Sequence, residues 1–190
     1  MRRFALFAEC LTAGVLTMLA ALPVVTLLAA LTAGCAHIRA HVDGEPTTLM
    51  SYVERVRAAY PGSWRLSLGV ATGFAVLGAD AVILRAGIPA GGAIAVACLA
   101  ASAMLSVLTL RAAAAWSPSR TWTATVRAAA RRSAVDDPGG SLLMVLAVGV
   151  LAVVTWQLLP LVVPMLGCVL MAAVAVDRRA TPVSDPQETR

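Results

Sequence analysis

Thirty-six consecutive residues, Ser141 to Val176, carry no charged side chain. As one α-helix that run would be about 54 Å long, against a bilayer hydrocarbon core of about 30 Å. Phe4 to Ile38 is almost as long, about 52 Å, with Glu9 as its one charged residue. Trp64–Leu84 and Ala90–Leu110 each have the length of a single crossing. Hydrophobic residues make up 59% of the chain and charged residues 13%, against about 45–50% and about 25% in soluble domains. A water-soluble fold of this size could not hide that much apolar surface. The expected fold is all-α: a polytopic transmembrane helical bundle, one domain over residues 1–176.

Prolines divide the two overlong runs. Pro23 stands in the middle of the first, within Leu22-Pro23-Val24-Val25-Thr26, and Pro160 and Pro164 in the middle of the last. Proline removes an amide donor and clashes with the preceding turn. Each run is either one kinked helix or two short helices. Basic residues lie on both flanks of both runs: Arg2, Arg3 and Arg39 around the first, Arg131, Arg132, Arg178 and Arg179 around the last. The tendency of arginine to stay cytoplasmic favours a hairpin in each case. Six apolar helices follow, at about 4–22, 24–38, 64–84, 90–110, 141–159 and 161–176, with both termini in the cytoplasm. Trp156 would then lie at the outer interface. Residues 177–190 read as a disordered cytoplasmic tail.

Two connections look amphipathic. After Asp43-Gly44-Glu45-Pro46, residues 47–60 place Leu49, Val53, Val56 and Tyr60 on one helical stripe. Residues 118–132 align Trp122, Val126 and Ala129 opposite Arg120, Arg127 and Arg131, within a basic loop spanning 111–140. Both are expected at the cytoplasmic membrane surface. The net charge of +5 comes from arginine without a single lysine. Its placement between apolar runs points to the bilayer and not to nucleic acid. Met1-Arg2-Arg3 and the later Thr32-Ala33-Gly34-Cys35 resemble a lipoprotein signal. The apolar stretch is too long for one and further spans follow, so a retained helix is expected.

Few residues could carry chemistry. Glu9 and Asp80 are carboxylates inside apolar segments, where ionisable groups are functional candidates. Glu9 is near the cytoplasmic flank, within reach of Arg2 and Arg3; Asp80 is about one turn from the outer end of its helix, ahead of Arg85. The bland alternative for each is an interfacial or paired carboxylate. His37 and His41 share a helix face but lack an obvious third metal ligand. Cys10, Cys35, Cys98 and Cys168 show no metal-site or redox spacing. Gly69 and Gly73 form a GxxxG that invites close helix packing, with Ala93, Ala97 and Ala101 as the simplest facing surface. No nucleotide loop, nucleophile elbow or zinc-protease motif occurs. No catalytic residue, cofactor or metal is expected, and an enzyme is not.

Taken together, Leu22-Pro23-Val24-Val25-Thr26, the small residues Ala29, Ala30, Ala33 and Gly34, the segment Tyr52, Arg55, Arg57, Tyr60, Arg65, and Leu158-Leu159-Pro160 resemble the YesL-like family of bacterial integral membrane proteins, whose function is unknown. The family typically carries an asparagine about nine positions before the first proline; Gly14 stands there in this chain. The resemblance implies an accessory or interaction component linked to carbohydrate uptake, with subunits of a carbohydrate ABC transporter as partners in the plasma membrane. The alternative is an ion- or proton-coupled small-molecule transporter using Glu9 or Asp80.

Overall fold

A computed structural model describes residues 2–84, 91–158 and 161–180, without the side chains of residues 2–7, 84, 156 and 180. Among the described residues every regular element is helical. The helices are α1 (Arg2–Ala21), α2 (Leu27–Val42), α3 (Leu49–Ala59), α4 (Ser63–Leu84), α5 (Gly91–Ala115), α6 (Trp122–Arg131), α7 (Pro138–Gln157) and α8 (Val162–Ala180). A 3-10 turn at Val24–Thr26 precedes α2, and a π-helical turn at Arg132–Asp136 follows α6.

Helix ends follow local chemistry. Pro23 cannot continue α1, and the chain folds back through the 3-10 turn. The Thr26 hydroxyl lies 2.5 Å from the Ala20 carbonyl oxygen and 2.6 Å from that of Pro23, so it serves carbonyls that the end of α1 leaves open. α2 therefore starts at Leu27, not at 24, and runs past Ile38 to Val42. It stops where Gly44 takes φ 76° and the Glu45 amide bonds back to the Ala40 carbonyl, a glycine-dependent helix end. Thr48 and Ser51 cap α3 reciprocally. Asp137 caps α7 by accepting the Gly140 amide at 2.8 Å, with Pro138 in the first turn. Pro164 likewise falls in the first turn of α8, where no intrahelical amide bond is lost. It follows the break and does not make it; Pro160 lies outside the described residues.

α2 is the central helix. Small residues lie on several of its faces, and it packs against α1, α3, α4, α5 and α8. Leu31, Cys35 and Ile38 join Ala13, Leu110, Met144, Leu170 and Val174 in one core; Leu28 and Ala29 meet Ala59 and Trp122 in a second. α1 and α8 touch backbone to backbone. A Cβ on Gly14 would strike the Val163 carbonyl oxygen, and one on Gly167 would strike that of Cys10. The order of these pairs makes the two helices antiparallel.

Several expectations require correction. The buried stripe of α3 is Tyr52 and Ala59 with Val56 partly covered, while Leu49 and Tyr60 are exposed. Tyr52 turns inward because its hydroxyl finds Thr17 Oγ1 at 3.3 Å and the Ala30 carbonyl at 3.2 Å. The second amphipathic segment is shorter than 118–132, with α6 starting at Trp122. α5 runs through the start of the expected basic loop, so Arg111 is helical and buried. α8 continues to Ala180, because Asp177 is held by arginines. The tail is therefore not disordered from residue 177; residues 181–190 lie outside the described ones.

The glycine motif of α4 works only in part. Gly73 approaches Leu105 of α5, but Gly69 faces open space. Ala93, Ala97 and Ala101 are exposed. The α5 face turned to α4 carries Ala95, Cys98, Ser102 and Leu105 instead, seven residues apart from Ala95 to Ser102 and from Cys98 to Leu105, which is the spacing that keeps one helix face in register. Hydroxyls on these apolar helices are satisfied locally. Ser102, Ser106 and Thr109 each donate to the carbonyl four residues earlier, as Thr12 and Thr32 do.

Candidate functional site

Two polar clusters occupy the end of the molecule where α2 and α8 finish. The first is built on Glu9. About two turns into α1, its Oε1 lies 2.8 Å from His37 Nε2 and accepts the Thr47 hydroxyl at 2.6 Å; His41 Nδ1 is 3.9 Å away. The helical spacing of His37 and His41 brings both rings toward one carboxylate. His37 is 2% exposed, its Nδ1 has no partner, and its ring meets Tyr52 edge-on at 6.0 Å. Burial lifts the Tyr52 phenol to about 12, so it acts as a neutral donor. The expected balancing of Glu9 by Arg2 and Arg3 falls on side chains outside the description; histidines and a threonine surround it instead.

The second cluster is a set of arginine–carboxylate pairs. Asp177 of α8 lies 3.0 Å from Arg39 of α2 and 3.3 Å from Arg132 of the π turn. Arg39 also donates to the Ala114 carbonyl at the end of α5. Arg178 meets Asp43 at 2.7 Å. Arg111, 5% exposed, donates to both the carbonyl and the carboxylate of Asp137. The Gly140 amide, with Arg111 beside it, holds the Asp137 carboxyl below its ordinary range. A cavity of about 680 Å³ opens alongside, lined by Arg132, Asp136, Asp137, Gly140 and Arg179.

Asp80 belongs to neither cluster. It faces α5, with Cys98 Sγ 4.0 Å from its carboxylate. A cavity of about 490 Å³ lined by Leu77, Ala81, Ala95 and Ser102 lies beside it. The structure thus separates the two intramembrane carboxylates that sequence reading paired as candidates. Arg85, the expected neighbour of Asp80, and the side chain of Trp156 are outside the description. Among the described residues no three His, Cys, Asp or Glu side chains converge as metal ligands. Cys10 and Cys35 are buried, Cys168 is exposed, and all four cysteines are unpaired.

Sequence reading missed the pairing of Glu9 with Thr47 and of Asp177 with Arg39 and Arg132. Only the alternation of Arg39, Asp43, Asp177 and Arg178 near two helix ends hinted at it. Among the described residues four helices are long and apolar enough to cross a membrane: Val24–Val42 counted with its 3-10 turn, Ser63–Ile83, Gly91–Ala115 and Pro138–Thr155. The class is therefore an all-helical protein with the features of a membrane protein. No family model matches the chain, and no curated protein or solved structure shows significant similarity to it.

Proposed function

We propose that the chain is a multi-pass integral protein of the plasma membrane, with both termini cytoplasmic, acting as an accessory or interaction component linked to carbohydrate uptake. The observation that carries the membrane orientation is one-sided charge. The Arg39–Asp177–Arg132, Arg178–Asp43 and Arg111–Asp137 pairs gather at one end. The far parts of α4, α5 and α7 expose Val82, Ile83, Val96, Leu99 and Val153. Arginine-rich ends belong with the cytoplasmic face and apolar ones with lipid. Six apolar helices lie in the bilayer, α3 and α6 near its cytoplasmic surface. Arg127 and Arg131 point outward from α6, offering a cationic face to a partner subunit or to anionic headgroups. The link to carbohydrate uptake rests on the YesL-like sequence elements.

Affinity purification from native membranes in mild detergent should recover subunits of a carbohydrate ABC transporter. Combined Arg127→Glu and Arg131→Glu should reduce that recovery. Repeated purification without any transporter subunit would remove the accessory role.

A coupled transporter is the second reading, favoured by the Glu9–His37 contact inside an apolar helix pair. Glu9→Gln with Asp80→Asn should then abolish substrate uptake in vesicles, and unchanged uptake would exclude it.

A further inference from the structure

The Arg120 guanidinium has no partner among the described residues, yet it shares a cavity wall with two other arginines. The cavity has a volume of about 310 Å³, at the lower end of the range of about 300–1,000 Å³ for small-molecule sites. Arg39, Arg120 and Arg132 line it together with Asp177 and the loop residues Ser117 and Ser119. The Asp177 carboxylate orients two of the three arginines, at 3.0 Å from Arg39 Nη2 and 3.3 Å from Arg132 Nη1. Each of those guanidiniums keeps further N–H donors outside these contacts, and both side chains are partly exposed. The two serine hydroxyls are 3.0 Å apart, so one donates to the other and a second hydroxyl hydrogen is left to give.

Three membrane-length helices end around this cavity. Arg39 is in the last turn of Val24–Val42, Ala114 and Ala115 close Gly91–Ala115, and Arg132 opens the π turn that leads into Pro138–Thr155. A point shared by the ends of three spans lies at the level of the lipid headgroups, whichever face of the membrane it is on. Trp116, in the same wall, stacks on Trp122 with ring centroids 5.4 Å apart, and tryptophan favours that level.

We propose that this cavity binds a phosphomonoester group at headgroup depth, carried by an anionic phospholipid or by a soluble molecule that reaches the interface. Three arginines against one carboxylate leave an excess of two positive charges. A phosphomonoester carries about −1.5 to −2 at pH 7 and so matches that excess; a phosphodiester headgroup or a carboxylate carries a single negative charge. Guanidinium forks fit phosphate oxygens in geometry as well as in charge. The carbonyl end of α5 would repel an anion, but Arg39 covers it by donating to the Ala114 carbonyl at 2.8 Å. Arg127 and Arg131 of α6 are not part of this wall. The inference rests on the helices lying in the bilayer and is independent of which face is cytoplasmic.

Phosphatidylcholine nanodiscs with a minor share of phosphatidic acid or of phosphatidylglycerol test this, the lipid retained by the protein being counted by native mass spectrometry. Phosphatidic acid, a monoester, should be retained about fivefold more than phosphatidylglycerol, a diester. Arg120→Gln should lower that retention about fivefold. It should leave the unfolding temperature unchanged, because Arg120 holds no other described group in place. Arg127→Gln removes the same charge outside the cavity and should change retention by less than about twofold. Inorganic phosphate titrated calorimetrically into phosphatidylcholine nanodiscs separates the sources. Retained phosphatidic acid without phosphate binding makes a membrane lipid the source; phosphate binding that Arg120→Gln abolishes extends the site to soluble phosphomonoesters. Equal retention of the two lipids without phosphate binding overturns the proposal. Equal losses from Arg120→Gln and Arg127→Gln overturn it as well, since only diffuse surface charge would then be at work. A chain that stays outside the nanodiscs sinks the membrane reading and this proposal with it, an outcome visible before any lipid is counted.

Discussion

At Gly14 the missing side chain is the interaction. The Val163 carbonyl of α8 occupies the space of a Cβ, so Gly14→Ala must push two helices apart. A loss of about 1–3 kcal/mol is expected, read as a lower unfolding temperature in detergent. Gly69→Ala, at a glycine with open space around it, should change stability by less than about 0.5 kcal/mol. Asp137 has a pH signature. Its folded carboxyl titrates below the ordinary 3.8 because the Gly140 amide and Arg111 favour the charged form. The unfolded chain then binds more protons in acid, so this stabilisation is complete above the ordinary value and is lost as pH falls through the depressed folded one. As pH drops below about 4, the unfolding temperature of the native protein should fall faster than that of Asp137→Asn. A parallel decline in the two would refute this. Glu9 was legible as an unusual residue from its setting in an apolar run. Its partners were not, because Thr47 is 38 positions away and reaches it only after the chain has turned twice.

At the scale of elements, α3 shows what periodicity can misjudge. Leu49, Val53, Val56 and Tyr60 are spaced as a stripe, yet the helix presents Tyr52 and Ala59 to the core. One hydroxyl bridging two neighbouring helices sets its rotation. Tyr52→Phe should cost about 0.5–1.5 kcal/mol while keeping the helix in place. The end of α8 makes the complementary case. Asp177 and Arg178 looked like the start of a polar tail, but their charges meet partners on α2, on the π turn and after α2. Truncation after Ala180 spares these pairs; truncation after Val176 removes them. Only the shorter chain should lose thermal stability and resistance to proteolysis, and equal behaviour of the two would show that the pairs contribute nothing. The existence of the apolar helices and the break at Pro23 was plain from the sequence. Their rotations were not, since small residues lie on several faces of α2 and α5 and no single stripe dominates.

For the whole molecule, the division of labour between water and lipid decides the arrangement. α2 hides its surface within the protein, whereas α4, α5 and α7 leave most of theirs outside. Removal from detergent into buffer should therefore cause aggregation, measured by size-exclusion chromatography, because no protein surface covers these helices.

The helical class, the break at Pro23 and the arginine-rich balance were fixed by composition and pattern, since burial of long apolar runs needs no knowledge of neighbours. Tertiary structure alone decided that Glu9 meets two histidines, that Gly14 seats α8, and that the turn between α1 and α2 lies against α4. Those are distances between segments remote in the chain. They depend on which helix faces meet, and hydrophobic periodicity describes one segment at a time.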